Sequence, residues 1–337
     1  MATQEEEKGI RGANFQHVKT LRGHSGAVSG VEYEPMEGKV LISCSADKTV
    51  KMWDSDTGSE LRTLRGHKGG ISDVTWSEDG RFFATGSDDH TVGIWDAERG
   101  ELIQNLQQHT NFVFSVKFNP AGNMLVSGSF DETIHVWDTR ACRSIRQMPA
   151  HTDPVTSVDV NHDGTLIASS SFDGLVRIWD VSNGSCLKSI IEDDNSPVSF
   201  TRFTPNGRFI LIMTLSGRLL LKDPESNETK REYHGHENQH FCLVPAITKM
   251  VGHYGGRWLV SGSEDNSIQV WDIQRRRRTK TAEAAPVDVS QKIEGDPQGV
   301  NAHSHMVLCV DAHPCERKIA AGSTSPDSTI RIWEDMA

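Results

Sequence analysis

The sequence predicts an all-β fold: a seven-bladed β-propeller closed by its N-terminal strand. Trp-Asp pairs recur along the chain, the first four exactly one repeat of 42 residues apart, and short strand-turn-strand patterns precede each pair. Counting degenerate pairs gives seven repeats, and a repeat of this length typically folds as one four-stranded blade. The pairs are Trp53-Asp54, Trp95-Asp96, Trp137-Asp138, Trp179-Asp180, Lys222-Asp223, Trp271-Asp272 and Trp333-Glu334.

The second repeat shows how each blade is built. Residues 70–76 alternate as an innermost strand does, 81–87 predict the second strand, 88–90 a tight turn, 91–95 the third strand and 102–106 the fourth. This order is the WD-repeat pattern. The corresponding turns of other repeats are Ser45-Ala46-Asp47, Ser129-Phe130-Asp131, Ser171-Phe172-Asp173 and Ser263-Glu264-Asp265.

Histidine, serine and aspartate recur in nearly every repeat. In each, the His, one Ser or Thr, the turn Asp and the Trp can form a buried chain of hydrogen bonds, which must be satisfied internally. A catalytic triad would occur once and is defined by geometry. We therefore interpret the set as structural and predict neither an enzyme nor a cofactor or metal site.

The two ends of the chain predict how the ring closes. Only four residues follow Trp333, so the seventh repeat lacks a fourth strand, whereas residues 15–21 form a spare strand before the first repeat. Pairing the two removes open sheet edges. We expect a flexible tail over 1–14 and one propeller over 15–337.

Repeats five and six depart from the pattern. Repeat five has Leu215-Ser216-Gly217 in place of the turn Asp and Lys222 in place of Trp, so its network must be incomplete. Repeat six carries predicted insertions at 248–255 and 275–301, the second with the run Arg275, Arg276, Arg277 and Arg278. The run suits a solvated loop, a nuclear-import signal or a contact with an acidic partner.

Composition narrows the function classes. No apolar stretch is long enough to span a bilayer, and the acidic N-terminus is unlike a signal peptide, which predicts no membrane association. A net charge of −11 argues against broad phosphate binding, so nucleic acid is expected only indirectly. Six cysteines without a CxxC pair favour reduced thiols in the cytosol or nucleus.

The meander order of a blade locates a ring of residues around the central channel. Loops joining strands two to three and four to one share one face, here the first face, and the other loops share the second face. Aromatic rings and a carboxylate around the channel suit an arginine side chain, although the rings could equally plug the channel as packing. The ring consists of Ser29, Ala46, Ser72, Asp88, Phe114, Phe130, Thr156, Phe172, Ser199, Phe241, Cys242, Val244 and Leu308.

Several runs between the repeat motifs resemble one family, the WD-repeat core subunit of COMPASS/MLL-type histone H3 lysine-4 methyltransferase complexes. The resemblance covers all seven repeats and includes the missing turn Asp of repeat five. The runs are GISDV at 70–74, FVFSVKFNP at 112–120, VSGSFDE at 126–132, AHTDPV at 150–155, SSSFDGL at 169–175 and DDNSPVSF at 193–200.

The resemblance implies a non-catalytic nuclear scaffold. Its channel would take an arginine from a SET-domain methyltransferase subunit or from a histone H3 tail, held between two phenylalanines. Phe114 matches the first, Val244 stands at the second, and Asp88, Ser72 and Phe130 match residues that contact the peptide.

A second partner surface is also implied on the second face, for a partner WD-repeat subunit of the same complex. Its matching positions are Asn206, Phe209, Leu221 and Ile247. The insertions of repeat six, with the arginine run, are expected beside it.

Two other readings compete with this scaffold. A WD-repeat adaptor of a ubiquitin ligase or of an RNA-processing complex would have the same architecture, but the family-like runs disfavour it. An enzyme lacks support because the sequence has no unique acid-base pair, metal cluster or phosphate loop.

Overall fold

The strands of the chain form seven antiparallel sheets arranged as the blades of a propeller. The structure is a computed structural model that describes residues 12–191, 195–248, 257–273, 286–296 and 302–336. The innermost strands of blades one to five contact one another in order, and that of blade seven contacts those of blades six and one. A buried cluster joins blades five and six, so the sheets close into a ring. The predicted fold class is confirmed. Within these ranges, no helix has the length and apolarity that a membrane crossing requires.

Each blade runs from an innermost to an outermost strand. Blade one has β2 (Val28–Tyr33), β3 (Val40–Ser45), β4 (Thr49–Asp54) and β5 (Glu60–Arg65); blade two has β6 (Ile71–Trp76), β7 (Phe82–Ser87), β8 (Thr91–Asp96) and β9 (Glu101–Gln107). Blade three has β10 (Val113–Phe118), β11 (Met124–Ser129), β12 (Thr133–Asp138) and β13 (Arg143–Pro149); blade four has β14 (Val155–Val160), β15 (Leu166–Ser171), β16 (Leu175–Asp180) and β17 (Cys186–Ile191).

The later blades are less regular. Blade five has β18 (Val198–Phe203), β19 (Ile210–Thr214), β20 (Leu219–Lys222) and β21 (Thr229–Tyr233), with β25 (Pro286–Val287) added. Blade six has β22 (Ala246–Ile247), β23 (Trp258–Gly262), β24 (Ile268–Asp272) and β26 (Gln291–Ile293). Blade seven has β27 (Val307–Ala312), β28 (Lys318–Ser323) and β29 (Ile330–Asp335), completed by β1 (Phe15–Leu21).

The hydrophobic core lies between neighbouring blades. One buried cluster joins Ile42 and Met52 of blade one to Val74 and Phe83 of blade two, and similar clusters join later pairs. Because each sheet is narrow, its two faces are both covered by neighbours, which buries the repeated tryptophans almost completely. The ring therefore depends on every blade for its stability.

Ring closure follows the expected strand exchange. β1 pairs antiparallel with β29, from Phe15 opposite Asp335 to Leu21 opposite Ile330. The Gln291 side chain of blade six adds two bonds to the backbone of Phe15: its Oε1 accepts from the amide at 2.8 Å and its Nε2 donates to the carbonyl at 2.9 Å. The closing strand is thus tied to two blades.

The predicted insertion at 275–301 is interrupted by regular structure. β25 adds to the outer edge of blade five in parallel, with Glu232 opposite Pro286 and Tyr233 opposite Val287. The chain then returns as β26, the fourth strand of blade six, so residues 291–293 belong to that sheet. Residues 1–11 of the predicted tail, and residues 249–255, 275–285 and 297–301 of the predicted insertions, lie outside the described residues.

The recurrent polar set forms the predicted structural network in blades one to four. In blade two, His67 Nδ1 lies 3.0 Å from Asp89 Oδ2 and His67 Nε2 lies 2.7 Å from Thr85 Oγ1, which also accepts from Trp95 Nε1 at 2.9 Å. The His-Asp contact persists in blade seven, between His303 and Asp327 at 2.9 Å.

Blade six contains the network residues but does not assemble them, which the sequence did not predict. Asp265 pairs with Lys292 at 2.8 Å, and Trp271 donates to the carbonyl of His234 at 2.9 Å. His236 is buried, and among the described residues neither of its ring nitrogens has a hydrogen-bond partner. The longer chain between His236 and Asp265 separates the two groups that the other blades bring together.

Candidate functional site

A cavity of about 230 Å³ opens in the central channel, here called the first cavity. Nine of the thirteen predicted channel residues line it, from all blades of the ring. They are Ser29, Ser72, Phe114, Thr156, Ser199, Phe241, Cys242, Val244 and Leu308. These nine predicted residues therefore lie in the wall of one cavity.

A β-bulge explains why these side chains reach the cavity. In six innermost strands the register shifts between the first and third residues, which leaves the second residue without a partner opposite it. A bulge redirects its extra residue, and here it turns that residue toward the channel. The six residues are Ser29, Ser72, Phe114, Thr156, Ser199 and Leu308.

The remaining four predicted residues, Ala46, Asp88, Phe130 and Phe172, lie in the second-to-third-strand turns at the rim of the first face. Ser72 Oγ donates to Asp88 Oδ1 at 3.0 Å, which joins rim and cavity.

Aromatic rings continue from the cavity across the rim. The ring of Phe130 lies 5.2 Å from that of Phe114 and 6.2 Å from that of Phe172, edge to face. Phe112 joins the row 6.0 Å from Phe130 and is 43% exposed. The prediction missed Phe112, although its place just before the inner strand of blade three was a signal. The row can stack against a peptide that leaves the cavity.

Blade six contributes through irregular backbone instead of a bulge. Phe241, Cys242 and Val244 precede its short inner strand, and Val244 is held by backbone bonds with Leu308 and Val310 of blade seven at 2.8 and 2.9 Å. Burial raises the pKa of Cys242 to about 12, so this thiol is neutral in the cavity wall. Val244 gives an aliphatic wall where an aromatic ring could have stacked.

A belt of charged residues divides the channel. It occupies the fifth position of the inner strands, and we call it the charge belt: Glu32, Lys117, Asp159, Arg202 and Asp311. Four of these residues line both the first cavity and a second cavity of about 410 Å³ toward the second face. The carboxylates also join blades, because each accepts a backbone amide of the next inner strand: Tyr33 N at 2.8 Å, Trp76 N at 2.6 Å and Phe203 N at 2.7 Å.

Asp73 is a further acidic residue that the prediction missed. It stands at the third position of β6, lines the first cavity and accepts the amides of Val74 and Val116 at 2.8 and 2.9 Å. Burial raises the pKa of Asp73 to about 6. The signal was present in the sequence, since the other described inner strands that carry the bulge have no carboxylate at this position.

The positions of the predicted second partner surface lie at the second-face end of blades five and six. Leu221 and Ile247 pack in one cluster, and Ile247 also lines the second cavity with Thr204. Phe209 N donates to Thr204 Oγ1 at 3.0 Å, and Asn206 is exposed in the same turn. The four residues thus share one region, whereas Arg275 to Arg278 lie outside the described residues.

Metal coordination has no candidate in the described ranges: no three or more His, Cys, Asp or Glu side chains there are grouped to hold an ion.

The fold and this channel define a WD-repeat β-propeller, a class that generally serves as a non-catalytic scaffold for protein partners. Residues 20–334 match the family described as the WDR5 β-propeller domain. The chain belongs to that family.

Curated relatives share shorter parts of the chain. A WD repeat domain-containing protein 83 homolog from Dictyostelium discoideum is 26% identical over 142 residues, 42% of this chain and 36% of that protein. Nuclear distribution protein PAC1 from Coccidioides posadasii (strain C735) is 35% identical over 79 residues, 21% of this chain and 17% of that protein. The chain thus matches about a third or less of each relative's length, and neither name denotes a histone methyltransferase subunit.

Proposed function

We propose that the protein is a scaffold subunit of a COMPASS-like histone H3 lysine-4 methyltransferase complex in the nucleus. Its first cavity binds an arginine-containing peptide, from the SET-domain methyltransferase subunit or from the histone H3 tail. Its second face binds a partner WD-repeat subunit through Asn206, Phe209, Leu221 and Ile247.

The observation that carries the proposal is the convergence of nine predicted channel residues on one cavity. The cavity is narrow, has the Phe114 ring in its wall and opens onto the Phe130 row, so an extended side chain can enter while its peptide lies across the rim. A guanidinium suits this site because it stacks on aromatic faces and donates several hydrogen bonds in one plane.

Two experiments test the proposal. Affinity purification of the tagged protein from its native cells, followed by mass spectrometry, should recover a SET-domain methyltransferase and a second WD-repeat protein. Recovery of ubiquitin-ligase or RNA-processing subunits in their place would contradict it. The purified chain should bind arginine peptides of the recovered methyltransferase or of histone H3 in calorimetry, and should transfer no methyl group by itself.

A further inference from the structure

We propose that Asp73 is the residue that selects a cation in the first cavity, by pairing with the guanidinium of the bound arginine. This inference rests on the proposed function and names the group that gives the site its charge preference. Asp73 is outside the predicted ring, and its role follows from its contacts.

The hydrogen bonds that Asp73 accepts come from neutral groups. Its Oδ1 accepts Val74 N and its Oδ2 accepts Val116 N, both neutral amides. In the described part of the chain, no Lys, Arg or His nitrogen forms an ion pair with it. Lys117 lies close enough for its charge to act on Asp73, but its Nζ pairs with Glu32 Oε1 at 2.9 Å. Asp73 is half-buried, so an unpaired charge there is partly desolvated, and a ligand cation would offset that cost.

The position of Asp73 in the channel makes it accessible to a bound arginine side chain. Asp73 lies between the bulge residue Ser72 and the charge belt, and it lines the first cavity but not the second. A side chain that enters from the first face therefore passes Ser72 and reaches Asp73 before the belt. Each carboxylate oxygen already holding one amide retains a lone pair for a guanidinium N–H.

Asp159 provides a matched control. It accepts the amide of Phe203 from the next blade at 2.7 Å, as Asp73 accepts that of Val116, and burial raises its pKa too. It lines the second cavity and not the first. Asp159→Asn therefore removes the same charge and disturbs the same kind of blade-to-blade bond without touching the proposed site.

The test compares the acetylated and amidated peptide Gly-Ala-Arg-Ala-Gly with its citrulline counterpart, which is neutral and nearly isosteric. Wild type and Asp159→Asn should bind the arginine peptide more tightly than the citrulline peptide. Asp73→Asn should lower the affinity for the arginine peptide by about tenfold to a hundredfold, as expected for the loss of a charged hydrogen bond. The affinity for the citrulline peptide should change little, so the ratio of the arginine to the citrulline affinity should fall in Asp73→Asn and not in Asp159→Asn.

Two results would overturn the inference. In the first, Asp73→Asn keeps the wild-type ratio of arginine to citrulline affinity. In the second, Asp73→Asn and Asp159→Asn lose that ratio equally, which would show that Asp73 has a structural role only. Failure of wild type to bind any arginine peptide would instead overturn the proposed function. The affinity of the wild-type protein for both peptides, measured at several pH values, gives a second test that needs no variant.

Ionised Asp73 is required for pairing, so affinity for the arginine peptide should fall as the pH drops below about 6, whereas citrulline binding should not. The other titratable groups facing Asp73 are Glu32, Lys117, Cys44 and Cys309; both thiols are neutral because burial raises their pKa values, and Glu32 has its pKa lowered by Lys117 despite its burial. Arginine affinity that stays constant from pH 7.5 to pH 5 would contradict the role of Asp73.

Discussion

Six side chains that line the first cavity come from β-bulges, where one residue has no partner in the adjacent strand. Each bulge places one side chain, such as Phe114 or Thr156, into the channel while its neighbours remain in the ladder. The cavity can therefore vary its chemistry at six positions without changing strand pairing. Where the bulge is replaced by irregular backbone, at Val244, the side chain is held by blade seven.

Phe114 should be the main anchor for the arginine peptide. Phe114→Ala should weaken binding by about 1–3 kcal/mol, because the ring lines the first cavity and a bound side chain would exclude water from it. Val244→Phe should tighten binding by a smaller amount, about the energy of a cation–π contact. Calorimetry measures both, with Phe209→Ala as the control, since that ring lies on the second face and does not line the first cavity. Equal affinity of wild type and Phe114→Ala would show that the peptide binds elsewhere.

His236 should make the protein sensitive to mild acid. Burial lowers its pKa to about 4, so the folded state resists a proton that the unfolded state takes up near pH 6.5. Its contribution to stability is therefore lost as the pH falls from about 6.5 to about 4. His236→Phe removes this penalty, and its stability relative to wild type should rise by roughly 1–3 kcal/mol across that range.

Thermal or urea unfolding at several pH values checks this difference. His162→Phe, on the surface, adds the same ring and should keep the wild-type slope. The idea fails if wild type and His236→Phe show parallel pH profiles.

Among the elements, the closing strand β1 and the added strand β25 have similar tasks. Each strand pairs with a blade that is not its neighbour in sequence. β1 precedes blade one and completes blade seven, and β25 lies within the sequence of blade six and extends blade five. Both cover an edge whose free amides and carbonyls would otherwise be open to another chain.

Removing β1 should open the ring. Deletion of residues 1–22 should lower the stability by about 3 kcal/mol or more, or cause aggregation, because β29 loses its partner and Phe15 leaves the core. Deletion of residues 1–10 is the control and should be silent. Unfolding curves and size-exclusion chromatography give the comparison, and a 1–22 deletion as stable and monodisperse as full length would contradict closure by this strand.

For the whole molecule, the two faces of the ring should bind different partners independently. The charge belt separates the two cavities, so a ligand in the first cavity does not reach the second face. The arginine run at 275–278 is expected on the second face, where it can pair with carboxylates of a partner and cover apolar surface.

Replacing Arg275 to Arg278 with Ser should lower recovery of the reconstituted complex and reduce its salt sensitivity, while the affinity of the channel peptide stays unchanged. Assembly across a salt series measures this. Arg140→Ser with Arg143→Ser, exposed on blade three, is the control for a general loss of positive charge. Unchanged assembly at every salt concentration would assign the run to a solvated loop.

The repeat pattern by itself determined the blade count, the strand order, the closing strand and nine residues of the first cavity. It could do so because each blade is a local meander whose strands pair with their neighbours in sequence, so the period carries most of the pairing. The same pattern predicted the network of His67, Thr85, Asp89 and Trp95, which repeats with one spacing.

Tertiary structure alone decided the features that depend on contacts between blades. The failed network at His236, the addition of β25 to blade five and the bond between Asp73 and the Val116 amide all arise where residues far apart in sequence meet. The repeat period does not encode such contacts. They depend on how neighbouring sheets are oriented around the channel and on which groups are available to bond to buried amides and charges.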